Sequence, residues 1–373
     1  MSRTVFLVAG EASGDLHAAS LLRCLRRRDP SLRALGIGGR HLAEAGLEVL
    51  VRSDAIATMG LTETFGSLRR VWQAYRVARA TLAQERPDLV ILVDYPEFNL
   101  RLARYAKSLG LRVFYYISPQ VWAWRRGRVR KMRQILDRLA VVFPFEEELY
   151  NNGGHPLARF VGHPLLDLVR PTRSGEETRR LYGLAPDQPL LALLPGSRRK
   201  EIRLLLPPVW ETARALAAHG WQAAVALAPT LSPADVHEAL PGGAGPFPVV
   251  HDDTYNLIHA ADAALVASGT ATLEVALLGK PMVIVYRVSR ITYWAGRLLV
   301  RVPHIGMPNV ILGRRAAPEF LQGDVTPAVL APAVQEVYTR RAELAEAWRE
   351  LRSRLGEPGA AERAAQLAWE LLP

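Results

Sequence analysis

The chain has 373 residues, 49% of them hydrophobic, and a single cysteine, Cys24. That length suits about two domains with substantial cores, and one cysteine excludes an internal disulfide framework or a multi-thiolate metal site. With 47 Lys and Arg against 36 Asp and Glu, the net charge is +11, which fits a phosphate-bearing substrate, an anionic lipid surface or nucleic acid.

From the N-terminus, an apolar run at residues 4–9 reads as a strand and ends in Gly10-Glu-Ala-Ser-Gly-Asp15. The spacing is not that of a Gly-x-Gly-x-x-Gly dinucleotide turn, and Glu11 would repel a pyrophosphate. Glu11, Ser13 and Asp15 suit a sugar or an acceptor hydroxyl better; Ser13 or Asp15 would also serve as a plain helix cap. A helical pattern at 15–28 holds Cys24 on its apolar side, and a strand at 34–37 and a helix at 68–85 follow. The run at 89–93 ends directly in Asp94, with Tyr95, Pro96, Glu97 and Asn99 behind it. A carboxylate at the end of a buried strand binds protons more tightly than usual and makes a candidate general base. The alternatives are a carboxylate that only satisfies backbone N–H groups, or Glu97 as the base.

A helix at 100–109 and a strand at 113–117 lead to Ser118-Pro-Gln-Val-Trp-Ala-Trp124. Six of the nine residues from Arg125 to Arg133 are basic. Trp122 and Trp124 beside Arg125 and Arg126 suit an anionic amphiphile, with rings for apolar chains and guanidinium groups for phosphate. RNA would use the same chemistry, and a solvated basic helix with core tryptophans fits the pattern too. A strand at 139–143 closes the first series.

Between Gly162 and Pro189 the chain is rich in proline and charge, and the boundary between two domains falls there. The second series has strands at 190–194, 223–228, 248–251, 263–267 and 282–286. After the first of them comes Leu194-Pro-Gly-Ser-Arg-Arg-Lys-Glu201. Gly196 lets the backbone approach a ligand, N–H groups at the helix start point at an anion, and Arg198 adds a planar fork. Ser197 could equally be a simple helix cap. After the strand at 263–267, Ser268, Gly269, Thr270 and Thr272 offer hydroxyl and N–H donors to a diphosphate, with Glu274 one turn on for ribose hydroxyls. Strands alternating with helices twice over predict two doubly wound parallel sheets. The last stretch, 342–373, is helical and is expected to cross back to the first domain or to a partner chain.

No Cys/His metal spacing occurs, so no metal or other cofactor is expected. No apolar run reaches the ~18 residues of a membrane span. The first apolar run leads into acidic Glu11 and Asp15 rather than a cleavage site, so no signal peptide is expected.

Six motifs taken together resemble the lipid-A-disaccharide synthase family: residues 10–15, Met59-Gly-Leu-Thr-Glu63, residues 118–124, Leu194-Pro-Gly-Ser-Arg198, Ser268-Gly-Thr-Ala-Thr-Leu-Glu274 and Pro308-Asn-Val-Ile-Leu-Gly-Arg314. They run in order from about Val5 to about Leu321 with family-like spacing. The resemblance implies a GT-B glycosyltransferase, α/β in class, with two Rossmann-like domains facing across a cleft. The expected division is residues 1–167 for the acceptor and membrane, 168–341 for the UDP-sugar, and a helical segment 342–373 on the first domain. It also implies transfer of diacylglucosamine from UDP-2,3-diacylglucosamine to 2,3-diacylglucosamine 1-phosphate, inverting, forming a β(1→6) disaccharide without a required metal. Asp94 then occupies the essential aspartate position, with Glu11 as the other candidate catalytic group. Gly196, Ser197, Arg198, Ser268, Gly269, Thr270, Glu274 and Asn309 would bind the UDP part; Ser13, Asp15, Trp122, Trp124, Arg125 and Arg126 would meet the acceptor or its lipid. Tyr95 and Glu97 stand where the family often has a small residue and an aspartate.

The family works peripherally at the cytoplasmic face of the inner membrane, which adds an anionic membrane surface as partner and a homodimer through the C-terminal helix as an option. Residues 59–72 and 291–301, which mix apolar and basic residues, are candidate membrane contacts. Two other readings remain: a UDP-sugar 2-epimerase on the same fold, against which the Trp-basic segment argues, and a nucleic-acid-binding protein, which lacks a recognised motif and is not expected.

Overall fold

A computed structural model describes residues 3–53, 65–119, 121, 127–152, 154, 156–240, 245–289 and 303–373. The chain forms two compact units, one of Met1–Leu166 with Leu355–Pro373, the other of Asp167–Arg354.

In the first unit seven parallel strands run β1 (Thr4–Ala9), β2 (Arg33–Gly38), β3 (Glu48–Arg52), β4 (Leu89–Val93), β5 (Val113–Tyr116), β6 (Arg138–Val141) and β7 (Ala158–Phe160). Their spatial order is β3-β2-β1-β4-β5-β6-β7. The second unit repeats the plan with β8 (Leu190–Leu194), β9 (Gln222–Leu227), β10 (Val249–His251), β11 (Ala263–Ala267), β12 (Met282–Tyr286) and β13 (Glu319–Leu321), ordered β10-β9-β8-β11-β12-β13. Crossover helices cover both faces, so the central strands are apolar throughout: β4, β8 and β11 are buried at every residue. Three strands absent from the sequence reading, β3, β7 and β13, are all sheet edges, where a short or half-charged segment suffices.

In each sheet the chain reverses its direction of winding between two neighbouring strands. In the first unit these are β1 and β4, with Ala9 beside Val93. In the second they are β8 and β11, with Leu194 beside Val266. Open α/β sheets bind ligands at the carboxyl side of such a switch point, so the loops after these four strands frame the candidate sites.

The C-terminal stretch does not act as one piece from residue 342. Helix Arg341–Arg354 stays with the second unit, where the Trp348 indole donates to Lys280 O at 3.0 Å and Arg354 to Ile311 O at 2.7 Å. The break comes at Gly356-Glu-Pro-Gly359, whose two glycines sit at φ +84° and +96°. Helix Ala360–Trp369 then packs on helix Ala12–Arg28 of the first unit, with Glu362 bridging Arg27 and Arg28 at 2.6 and 3.2 Å. Cys24, buried near this contact, has its thiol pushed up to about 11 by burial and by Glu362. Among the described residues no helix is long and apolar enough to cross a membrane.

Candidate active-site loops

In the first unit, Asp94 leaves β4 in the left-handed region, at φ +48°, and Tyr95 follows at +49°. The carboxyl of Asp94 is pushed up to about 6, chiefly by burial and then by the charge of Glu11, against an opposing hydrogen bond from the Tyr95 N–H. Glu11 stands half-exposed ahead of helix Ala12–Arg28. The end of β4 therefore carries a carboxylate that binds its proton more tightly than usual, beside a second carboxylate. Glu97 takes no part in this pair: it is exposed and bound to Arg128 at 2.6 Å.

Asp15, expected among the acceptor ligands, has another task. It is buried, and its carboxylate accepts from the N–H groups of Gly39, His41 and Leu42 at 2.6, 2.9 and 3.4 Å. It thus closes the start of helix Arg40–Glu44 after β2. Ser13 is exposed. Ser118 donates to the buried Glu146, which anchors the loop after β5 to helix Pro144–Asn151. Trp122, Trp124, Arg125 and Arg126 lie outside the described residues.

In the second unit, Gly196 follows β8 at φ +120°, and a Cβ there would lie 2.5 Å from a Glu201 carboxylate oxygen. The N–H groups expected to face a ligand are partly taken: those of Ser197 and Arg198 donate to Glu201 at 2.9 and 3.3 Å. The carboxylate of Glu201 fills the start of helix Arg199–Ala217 from within. The Arg198 side chain is 71% exposed and stands 3.9 Å from the other Glu201 carboxylate oxygen. Burial pushes the Tyr286 hydroxyl up, with the charge of Glu201 adding and Arg198 opposing, which puts this tyrosine in the same neighbourhood.

After β11, Gly269 and Thr270 are exposed, and the space where a Gly269 side chain would stand holds no atom within 4 Å. The Ser268 hydroxyl donates to Ile305 O at 2.8 Å, and that of Thr272, fully buried, to Gly269 O at 2.7 Å. Glu274 accepts from the Tyr255 hydroxyl at 3.0 Å; burial raises its carboxyl, and the Tyr255 bond opposes that.

Asn309, expected at the nucleotide, is fully buried and internally satisfied. It donates to Ala317 O and to Glu319, both at 2.7 Å, and accepts from the N–H groups of Ala316 and Ala317. Glu319 in turn accepts from Ile305 and Gly306 N–H at 3.0 Å. The pair fixes the entry to helix Met307–Leu312 and the turn behind it. Sequence reasoning did not single out Glu319, Tyr255, Tyr115 or Asn99 for a role; only Asn99, four residues after the helix-opening Tyr95, carried a local signal.

Two such sheets, each with polar loops at its switch point, define the GT-B class of glycosyltransferase fold. Solved structures sharing it include the glycotransferase of kitacinnamycin (TM-score 0.65, 17% identity, 100% of both chains) and MurG of Acinetobacter baumannii (TM-score 0.56, 15% identity, 99% of this chain and 100% of that one). Within that class the chain belongs to the lipid-A-disaccharide synthetase family, which matches residues 5–370. A lipid-A-disaccharide synthase of Myxococcus xanthus is 45% identical over 374 residues, 99% of this chain and 97% of its own length.

The Asn309 network sets a first expectation. Asn309→Ala leaves two N–H groups and part of Glu319 unpaired in a buried place, so stability falls by roughly 1–3 kcal/mol. Urea unfolding measures this, and an unchanged midpoint would contradict the clamp.

Proposed function

We propose that the chain joins UDP-2,3-diacylglucosamine to 2,3-diacylglucosamine 1-phosphate, giving the β(1→6) disaccharide 1-phosphate and UDP, with inversion at the anomeric carbon. The observation that carries this reading is Asp94, a strand-end carboxylate held near neutrality by burial and Glu11, in a chain of this family. An inverting transfer needs one base. Asp94 takes the proton of the acceptor hydroxyl, that oxygen attacks the anomeric carbon, and the bond to the diphosphate breaks with its electron pair leaving on UDP. The transition state has oxocarbenium character.

Charge grows on the departing diphosphate. The exposed Arg198 guanidinium and the open Gly269–Thr270 turn are suited to receive it, and the reaction is expected to run without a metal. Glu274, steadied by Tyr255, is expected to accept from ribose hydroxyls. Both substrates carry acyl chains, so the enzyme is expected to work from an anionic membrane surface on the cytoplasmic side. Helix Phe65–Glu85 supports this: Trp72 is 58% exposed, with the Arg76 guanidinium 4.8 Å over its ring. Such a pair suits a lipid headgroup boundary. The second candidate, residues 291–301, lies outside the described residues.

The direct test is a chelator-treated assay with both lipid substrates, scoring UDP and disaccharide by mass spectrometry. Disaccharide is expected; free epimerised sugar without acceptor would point to an epimerase instead. Asp94→Ala is expected to lose at least ~100-fold in turnover, the scale of general-base catalysis. Because the base must be ionised, kcat/KM should rise with pH through about 6 and level off above it. Near-normal turnover of Asp94→Ala would remove it from the mechanism.

Arg198→Ala should weaken UDP binding in calorimetry while leaving the unfolding midpoint in place. Unchanged affinity would refute its role at the diphosphate. In flotation, the protein should rise with vesicles containing anionic lipid and less so after Trp72→Ala; no flotation would sink the membrane reading.

A further inference from the structure

Two consecutive non-glycine residues in the left-handed region are rare, and they persist only where surrounding groups impose the conformation. Around Asp94 and Tyr95 those groups can be named. The Asn99 amide, fully buried, donates to Asp94 O at 2.6 Å and to Val93 O at 3.2 Å. The Tyr115 hydroxyl, from the neighbouring strand β5, donates to Asp94 O at 2.5 Å. The Tyr95 ring lies against Gly10, where a Cβ would stand 2.3 Å from it. Asn99 itself is set by helix Pro96–Ser108, its N–H bonded to Tyr95 O at 3.0 Å.

A helix and a strand thus converge on one carbonyl, that of Asp94. Fixing this carbonyl fixes the peptide plane after Asp94, and with it the direction in which the Asp94 side chain leaves the backbone. The Asn99 side-chain amide oxygen is buried and has no hydrogen-bond partner among the described residues, so the side chain is oriented for its donors at the expense of its acceptor. Relaxed to an ordinary strand-end conformation, Asp94 would turn its carboxylate elsewhere.

We propose that Asn99 and Tyr115 are positioning residues for the transfer reaction, clamping the Asp94 carbonyl so that its carboxylate is aimed at the acceptor hydroxyl. This rests on Asp94 being the base. The groups facing the assembly are Glu11, whose charge acts on Asp94, and Tyr150 and Arg128, which act on Tyr115.

The experiment compares Asn99→Ala, Tyr115→Phe, Asp94→Ala and the double variant Asn99→Ala/Asp94→Ala in the full chain. Misplacing a catalytic group by about 1 Å is worth up to ~100-fold in rate, so kcat should fall ~10- to 100-fold in the clamp variants. KM and UDP affinity should stay within about threefold, as expected of groups proposed to act through the Asp94 carboxylate alone. The acid limb of the rate profile should move down from about 6 towards the ordinary carboxylate value near ~4, because a released carboxylate meets water. In the Asp94→Ala background, Asn99→Ala should change the residual rate by less than about twofold, as expected of a group acting through Asp94.

Near-normal kcat with an unmoved acid limb in Tyr115→Phe, which removes one oxygen and keeps the packing, overturns the proposal even if Asn99→Ala fails to fold. So does an Asn99→Ala effect of equal size with and without Asp94. If Asp94→Ala keeps its turnover, the base assignment falls and the clamp with it. If Asp94→Ala is inactive while the clamp variants are normal, only the clamp falls.

Discussion

Main-chain groups that leave a buried parallel ladder must find new partners where water is scarce, and that constraint shapes both sets of loops. At the ends of the central strands most polar side chains answer it. Asp15 takes the N–H groups after β2, Asn99 and Tyr115 take the carbonyls after β4, and Glu201 takes the N–H groups after β8. Glu319 and Asn309 do the same ahead of and behind helix Met307–Leu312. The groups proposed for the chemistry take little part in this work: the carboxylate of Asp94 with Glu11 beside it, the exposed Arg198 fork 3.9 Å from Glu201, and the open turn at Gly269.

That division explains why the two sets of loops differ electrically. Asp94 is partly withdrawn from water and faces another carboxylate, and both effects disfavour its charge. The result is a carboxylate with raised proton affinity, which suits the base proposed for it. Arg198 lies at the other extreme, largely exposed, so its charge is retained without a desolvation penalty until a ligand arrives. Its neighbour Glu201 already neutralises the helix start, which makes the turn stable when empty. The donor proposed for this unit would then rely on the arginine side chain and the turn after β11.

Much of this was legible in sequence because a strand buried on both faces is an unbroken apolar run, and its end is the next polar residue. The ten strands read that way lie in the two sheets, and Asp94, Gly196 and Ser268 fall at the ends so marked. Three of the four edge strands escaped because they need no such run: β3 alternates half-buried and exposed residues, and β7 and β13 have three residues each. The division of the C-terminal helices depended on Gly356 and Gly359, whose left-handed angles sequence alone does not announce. Asp15 and Asn309 show the deeper limit. Their motifs mark them as important, yet whether a short polar side chain turns to a ligand or to its own backbone is decided by loops brought from elsewhere in the chain.

The contrast between Gly196 and Asp94 follows from what each place must present. After β8, at the turn proposed for a phosphate, glycine takes the positive φ at no steric penalty, and a Cβ there would meet Glu201 at 2.5 Å. After β4, at the strand end proposed to supply the base, the side chain is the point, and glycine would not serve. A left-handed aspartate carries a strain of about 1–3 kcal/mol, and two such residues stand in succession. The strain has to be overruled by other contacts, and here those are a buried amide, a buried phenol and a ring laid against Gly10. The left-handed turn after β4 therefore requires a clamp, whereas the left-handed turn after β8 requires only the absence of a side chain.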